Sequence, residues 1–289
     1  ESAQSLQDRA TREMHLQQAL AESEHVSGAH EAVLLRAMRW SLQDRDVEAA
    51  TQWMDRLPSG VARRTVALRL RLKVARLAGR VDQALETTRM LAKHRAYSDL
   101  QAQGLQRALA VEYLQTMHDP ARLETLWQLL DPVEKAIPEV VLVAAERLVR
   151  LGGSTATAFQ WLLPIWERMT SAPHELSVEQ KTTLIRVVEH CFSASQGEVG
   201  SPWLARIEQA QLADPGDASL QYLAGVACLH LQLWGKAQHM LKQALPRLQD
   251  RELKARAWQV LAELAQRQGD EVQAAQAWKE AAQIKLLSD

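Results

Sequence analysis

Apolar residues recur along almost the whole chain at spacings of three and four, the period of an amphipathic helix. The first 24 or so residues read as one helix, with Ala10, Met14, Leu16 and Leu20 as an irregular apolar stripe. Helical hairpins follow at about 30–57 and 64–94, parted by the turn Leu57-Pro58-Ser59-Gly60. Between 98 and 212 the period persists and helix starts stay legible. Asp119-Pro120 and Ser201-Pro202 place a cap before a proline, and Ser177 with Gln180 forms a capping box. Gly152-Gly153 closes one helix and Ser154 caps the next, which Pro164 should kink or divide. Ala194 to Ser201, with Gly197 and Gly200, reads as a flexible loop, and Asp214-Pro215-Gly216-Asp217 resets the register before two last hairpins.

The hairpins repeat. Leu34, Ala50 and Leu57 answer to Leu68, Ala84 and Leu91, each 34 residues on. Near the other end Tyr222, Gly225, Trp234, Ala237, Leu241 and Ala244 answer to Trp258, Leu261, Ala262, Gly269, Ala274, Trp278 and Ala281, and the alanine pairs 237/274 and 244/281 are 37 apart. Small residues belong where two helices approach most closely, which places Gly225 with Ala262 and Ala237 with Ala274 at equivalent contacts. This period and pattern resemble the tetratricopeptide repeat, or TPR, of about 34 residues. The expected fold is all-α, a TPR-like right-handed α-solenoid of antiparallel hairpins with about 14–16 helices. Its parts would be N-terminal hairpins at 1–97, irregular helical repeats at 98–212 and a closing pair at 213–289, joined in one continuous array. The opening helix would then be the second helix of a truncated repeat.

Composition agrees with helix. Ala, Leu, Gln, Glu and Arg abound, and Gly (12) and Pro (9) are few enough to leave helix propensity high throughout. A net charge of −1 with 24% charged residues describes a folded chain and argues against general nucleic-acid binding. Cys191 and Cys228 are too few for a disulfide framework or a zinc site. No run of 18 apolar residues occurs, and Glu1 suggests that the chain begins inside a longer protein.

Catalytic and cofactor signatures are missing. There is no glycine-rich phosphate loop, since Gly235-Lys236 lacks its upstream glycine, and no two histidines stand three or four apart. Neither a C-x-x-C-H haem attachment motif nor a Cys-Pro dipeptide occurs. Glu146, Glu167 and Glu189 lack a recognisable acid/base partner, and the nine tryptophans fall mostly at helix-packing positions. No catalytic residue, metal ligand or bound cofactor is therefore assigned.

One charge feature stands out. Arg63, Arg64, Arg69, Arg71, Lys73, Arg76 and Arg80 run without an acidic residue until Asp82, and Arg69, Lys73, Arg76 and Arg80 share one helix face. Registered against the repeat, Arg69, Lys73 and Arg76 fall on the groove-lining side of a hairpin's inner helix, with Arg39 at the matching place one repeat earlier. Two readings compete: a solvated face with ion-pair partners elsewhere, or a basic groove for a carboxylate-bearing ligand or acidic peptide. No aromatic is interleaved with these cations, which disfavours single-stranded nucleic acid. The chaperone-tail clamp of some TPR proteins is absent, because its places hold Tyr222, Val226, Gln259 and Glu263.

The stretch from Trp53 to Tyr97 (WMDRLPSGVARRTVALRLRLKVARLAGRVDQALETTRMLAKHRAY) resembles the HemY family of proteobacteria. Residues 121–152 (ARLETLWQLLDPVEKAIPEVVLVAAERLVRLG) resemble its middle region, and the Tyr222 to Ala281 pair its closing hairpins. The resemblance implies a protein held in the bacterial inner membrane by N-terminal hydrophobic helices outside this chain, its TPR region facing the cytoplasm. It also implies a role beside the haem-biosynthesis enzymes, with those enzymes as partners and haem or a porphyrin as a candidate ligand. The expected function is a non-enzymatic scaffold or adaptor. The alternatives are a general TPR adaptor for envelope or secretion proteins and, from another class, an enzyme of porphyrin metabolism.

Overall fold

The computed structural model describes residues 9–195 and 200–286, and all regular structure in them is helical. Two compact units divide the chain, Glu1–Tyr113 and Leu114–Asp289.

Unit 1 contains α1 (Arg9–Ser23), α2 (Ser27–Gln43), α3 (Val47–Asp55), the single turn α4 (Ser59–Ala62), α5 (Thr65–Leu77), α6 (Val81–Lys93) and most of α7 (Asp99–Thr116). Helices α2 with α3 and α5 with α6 form hairpins, α1 packs on α2, and α5 packs on both helices of the preceding hairpin. Leu34, Leu68, Ala50, Ala84 and Leu91 are buried, so the residues that carry the 34-residue period are core residues. Two expectations need correction. Pro58-Ser59-Gly60 opens α4 instead of making a simple turn, because proline's fixed φ suits a helix entry. In α1, Leu16 and Leu20 are buried but Met14 is 60% exposed, since it lies off the face that meets α2.

Unit 2 contains α8 (Pro120–Leu129), α9 (Pro132–Lys135), α10 (Pro138–Arg150), α11 (Thr155–Ser171), a 3-10 turn (Pro173–Glu175), α12 (Val178–Ala194), α13 (Gly200–Ala213), α14 (Ala218–His230), α15 (Trp234–Ala244), α16 (Arg251–Arg267) and α17 (Glu271–Leu286). Helices α10, α12, α14 and α16 pack in succession, each on the next, and α11, α15 and α17 fold back on α10, α14 and α16 as hairpin partners. The described residues hold seventeen α-helices, more than expected from the sequence, because α4 and α9 are one-turn helices inside connections.

Helix starts follow the local chemistry. Asp119, Ser154, Ser177 and Asp217 accept backbone N–H bonds as N-caps, Ser177 with Gln180 as a full capping box. Asp131 and Glu134 form another that the sequence reading passed over. Helix α13 begins at Gly200, ahead of the expected Ser201-Pro202 start, and residues 196–199 of the expected loop lie outside the described residues. Pro164 does not divide α11, which runs unbroken from Thr155 to Ser171.

Six helix ends share one device. Arg45, Gly79, Arg95, Gly152, Gln232 and Gly269 have left-handed φ between 50° and 77°. At each, its own N–H bonds the carbonyl three residues back and the next residue's N–H bonds the carbonyl five back, the double bond of a Schellman cap. Arg45 and Gly79 are 34 residues apart, Gln232 and Gly269 37 apart, the offsets already seen among the alanines. Gly152 is thus a cap that the sequence indicated, whereas the non-glycine caps carried no compositional signal. Because a side chain at left-handed φ is strained, Gln232→Gly is expected to stabilise unit 2 by about 0.5–1 kcal/mol and Gly269→Ala to weaken it by a similar amount, as measured by urea unfolding.

Candidate functional site

In unit 1 the structure brings Arg39, Arg69, Lys73 and Arg76 to one cleft of about 920 Å³ formed by α2, α5, α7 and the connection that holds Tyr97. Arg39 and Lys73 stand 34 residues apart, at the same register of two packed first helices, so their convergence follows from the repeat. Arg69, Lys73 and Arg76 share a face because α5 turns once every 3.6 residues. All four side chains are exposed. Arg80 does not join them: α5 ends at Leu77, Gly79 reverses the chain, and Arg80 is the N-cap of α6.

The cations differ in what they touch. Arg76 Nη2 lies 2.7 Å from Glu112 Oε2 on α7. Arg69 donates to the Ala96 carbonyl at 3.1 Å, and its guanidinium sits 5.3 Å from the centre of the Tyr97 ring, a cation–π contact. Outside the cleft, Arg64 pairs with Glu31 at 3.1 Å and Arg71 with Glu86 at 3.7 Å. Arg39 and Lys73 have no ion-pair partner among the described residues. Part of the basic run is therefore taken up by contacts within the chain, and Arg39 and Lys73 are left open in the cleft.

Tyr97 and Glu112 were missed because neither lies near the basic run in sequence. Glu112 is 36 residues from Arg76, close to one repeat, so the period was the available signal for it. The cleft walls are apolar, with Val66 and Leu77 each 44% exposed on α5 and Leu105 half-buried on α7.

Unit 2 has a cleft of another kind. Arg150, Arg186 and Arg256 line a space of about 390 Å³ beside α10, α12 and α16, and each is matched by a carboxylate: Glu146 at 2.6 Å, Glu252, and Glu189 at 2.6 Å. Glu189 is buried and also accepts a 2.6 Å hydrogen bond from the Tyr222 hydroxyl. Glu146 pairs with Arg150 one turn further along α10, whereas Glu189, isolated in the sequence, takes its partners from helices tens of residues away. Burial, and then the charge of Glu189, holds the Tyr222 hydroxyl well above its ordinary range. Burial counteracts the charge of Arg256, but the hydrogen bond and charge of Glu189 raise its pKa overall. The cluster ties α12, α14 and α16 together and keeps that cleft electrically balanced.

His230 closes α14 and stacks on Phe192, with ring centres 6.2 Å apart. Burial, then Arg256 and Arg267, push its pKa below 6.5. The folded state thus binds this proton less readily than the unfolded chain, so the contribution to stability is present above pH 6.5 and is lost on acidification. Unfolding of unit 2 is expected to shift to lower urea between pH 7 and about pH 5.5, with a smaller shift in His230→Phe.

Trp127, Trp166 and Trp203 are buried, and Trp127 stacks on Trp161 at 4.4 Å while Trp203 meets Phe159 at 4.7 Å. Trp234 and Trp278 depart from the expected core role, being 40% and 38% exposed. Cys191 and Cys228 are buried and free, and burial pushes the Cys191 thiol up to about 12. Among the described residues no group of three or more His, Cys, Asp or Glu side chains is placed to hold a metal ion, and no helix is long and apolar enough to cross a membrane.

No protein-family model matches the chain, and no curated protein matches it; neither comparison identifies the HemY family.

Proposed function

We propose that this chain is a non-enzymatic scaffold of TPR-like hairpins, stacked as a solenoid, that uses the unit 1 cleft to take a carboxylate-bearing ligand or segment. The observation that carries the reading is the pair Arg39 and Lys73, exposed in one cleft at equivalent repeat positions and without ion-pair partners among the described residues. Two unneutralised cations beside apolar walls attract an anion with an apolar body. The succession α10, α12, α14 and α16, with α2 meeting α5 in unit 1, supports the stacked-hairpin reading within each unit.

The resemblance to the HemY family gives this scaffold its setting: the cytoplasmic side of the bacterial inner membrane, with haem-biosynthesis enzymes as partners and haem or a porphyrin as a candidate small ligand. Tetrapyrrole intermediates are flat and apolar and are fringed with carboxylates, which suits the cleft's chemistry.

The test is titration of the protein with haem and its late precursors, following tryptophan quenching and the Soret band. Saturable binding that weakens at least about tenfold in Arg39→Glu/Lys73→Glu is expected for carboxylate recognition. Binding indifferent to that double reversal removes the cleft from the proposal. Capture of partners from a bacterial lysate addresses the setting: haem-pathway enzymes support it, and envelope or secretion proteins favour the general-adaptor alternative.

A further inference from the structure

We propose that the natural occupant of the unit 1 cleft is an acidic peptide segment with an apolar residue on each side, and that Glu112 is a built-in competitor which such a segment displaces from Arg76. The inference rests on the cleft being a ligand site at all and names the chemistry of the ligand.

The groups along α5 stand in a definite order. Val66, Arg69, Lys73, Arg76 and Leu77 follow one another along the side that faces the cleft, so cations occupy the middle and exposed apolar side chains the ends. Val66 and Leu77 are eleven positions apart on the helix, a strip about 16 Å long. An occupant complementary to it is elongated, acidic at its centre and apolar at both ends. Arg39 adds a cation from the neighbouring helix, about 8–10 Å to the side at the spacing of packed helices. One compact anion cannot reach cations distributed in this way, whereas several carboxylates along a peptide can.

The four cations are also in different states. Arg69 is anchored by the Ala96 carbonyl and the Tyr97 ring, which leaves Tyr97 as an aromatic wall. Arg39 and Lys73 are open. Arg76 already holds a carboxylate, that of Glu112, and both partners of this pair are nearly half exposed, 46% and 45%. Glu112 therefore does inside the chain what an acidic ligand would do from outside. An exposed ion pair is weakly held, so an incoming carboxylate can exchange for it at little cost. The cleft then engages its ligand through three cations, two open and one released by exchange.

The experiment measures fluorescence anisotropy of a labelled peptide, Leu-Ala-Glu-Glu-Ala-Glu-Leu, with the whole chain, against the same peptide carrying glutamine for glutamate. The acidic peptide is expected to bind saturably, at least about tenfold tighter than the glutamine peptide, and to weaken as salt is raised. Lys73→Glu and Arg39→Gln each lower that affinity, whereas Glu112→Gln raises it about threefold because Arg76 no longer has a competitor. All three positions are surface sites, and far-UV circular dichroism with urea unfolding checks that the variants fold.

Equal binding of the two peptides overturns the proposal, as does Glu112→Gln binding no better than the parent chain. Absence of saturable peptide binding beside saturable porphyrin binding overturns it too, but leaves the cleft a small-ligand site. If neither peptide nor porphyrin binds, the reading of the cleft as a ligand site fails as well.

Discussion

Arg256→Met is expected to lower the stability of unit 2 by about 3 kcal/mol. The loss comes less from the missing attraction than from what remains, since Glu189 is 6% exposed and would keep only the Tyr222 hydroxyl as a partner. Breaking a buried pair by removing one member costs about 3–5 kcal/mol, and the lower end applies here because the arginine side chain is 38% exposed. Tyr222→Phe removes one hydrogen bond to a charged group and is expected to cost about 1.5–3 kcal/mol. Glu189→Gln combined with Arg256→Met should recover much of the loss, because no buried charge is then stranded. Urea unfolding followed by tryptophan fluorescence measures all four chains. A double variant no more stable than Arg256→Met alone would refute the stranded-charge explanation.

The second large effect is expected at Gly225. A Cβ there would stand 2.8 Å from Leu241 Cγ and 3.3 Å from the Ala237 carbonyl oxygen, at the crossing of α14 and α15. Leu241 and Ala237 are fully buried, so neither has room to retreat. Gly225→Val should cost about 3 kcal/mol through forced separation of the hairpin. The contrast is Gly104 in the body of α7, where an added Cβ meets nothing within 4 Å. Gly104→Ala should instead stabilise by about 0.5–1 kcal/mol, the usual gain of alanine over glycine inside a helix. Opposite signs for two helical glycines separate packing from propensity.

Gly225 was legible in the sequence because a glycine recurring against alanines 37 residues apart marks a close helix crossing. Glu189 was not, because an ion pair between residues 67 apart leaves no trace in a local window. The same division runs through the unit 1 cleft. Arg39 and Lys73 could be found from the 34-residue offset, and Arg69 and Arg76 from the helical period, since both rules concern spacing alone. Tyr97 and Glu112 come from other elements, and their distances from the cations depend on how α7 and its approach pack. Met14, Trp234 and Trp278 show the same limit from the other side: each fits an apolar pattern, yet whether a helix face is covered depends on its neighbour.

By itself the sequence determined the helical class, the hairpin period, some of the N-caps and the four cations of the cleft. These follow from short-range rules, namely 3.6 residues per turn, side-chain caps and the repeat of small residues. Only the tertiary structure decided which cations are already satisfied, that Arg80 turns away beyond the α5 cap, and that Glu189 is held by Tyr222 and Arg256. Those outcomes depend on partners brought together by packing, and electrostatic pairing is decided by distances of a few ångströms that spacing along the chain does not encode.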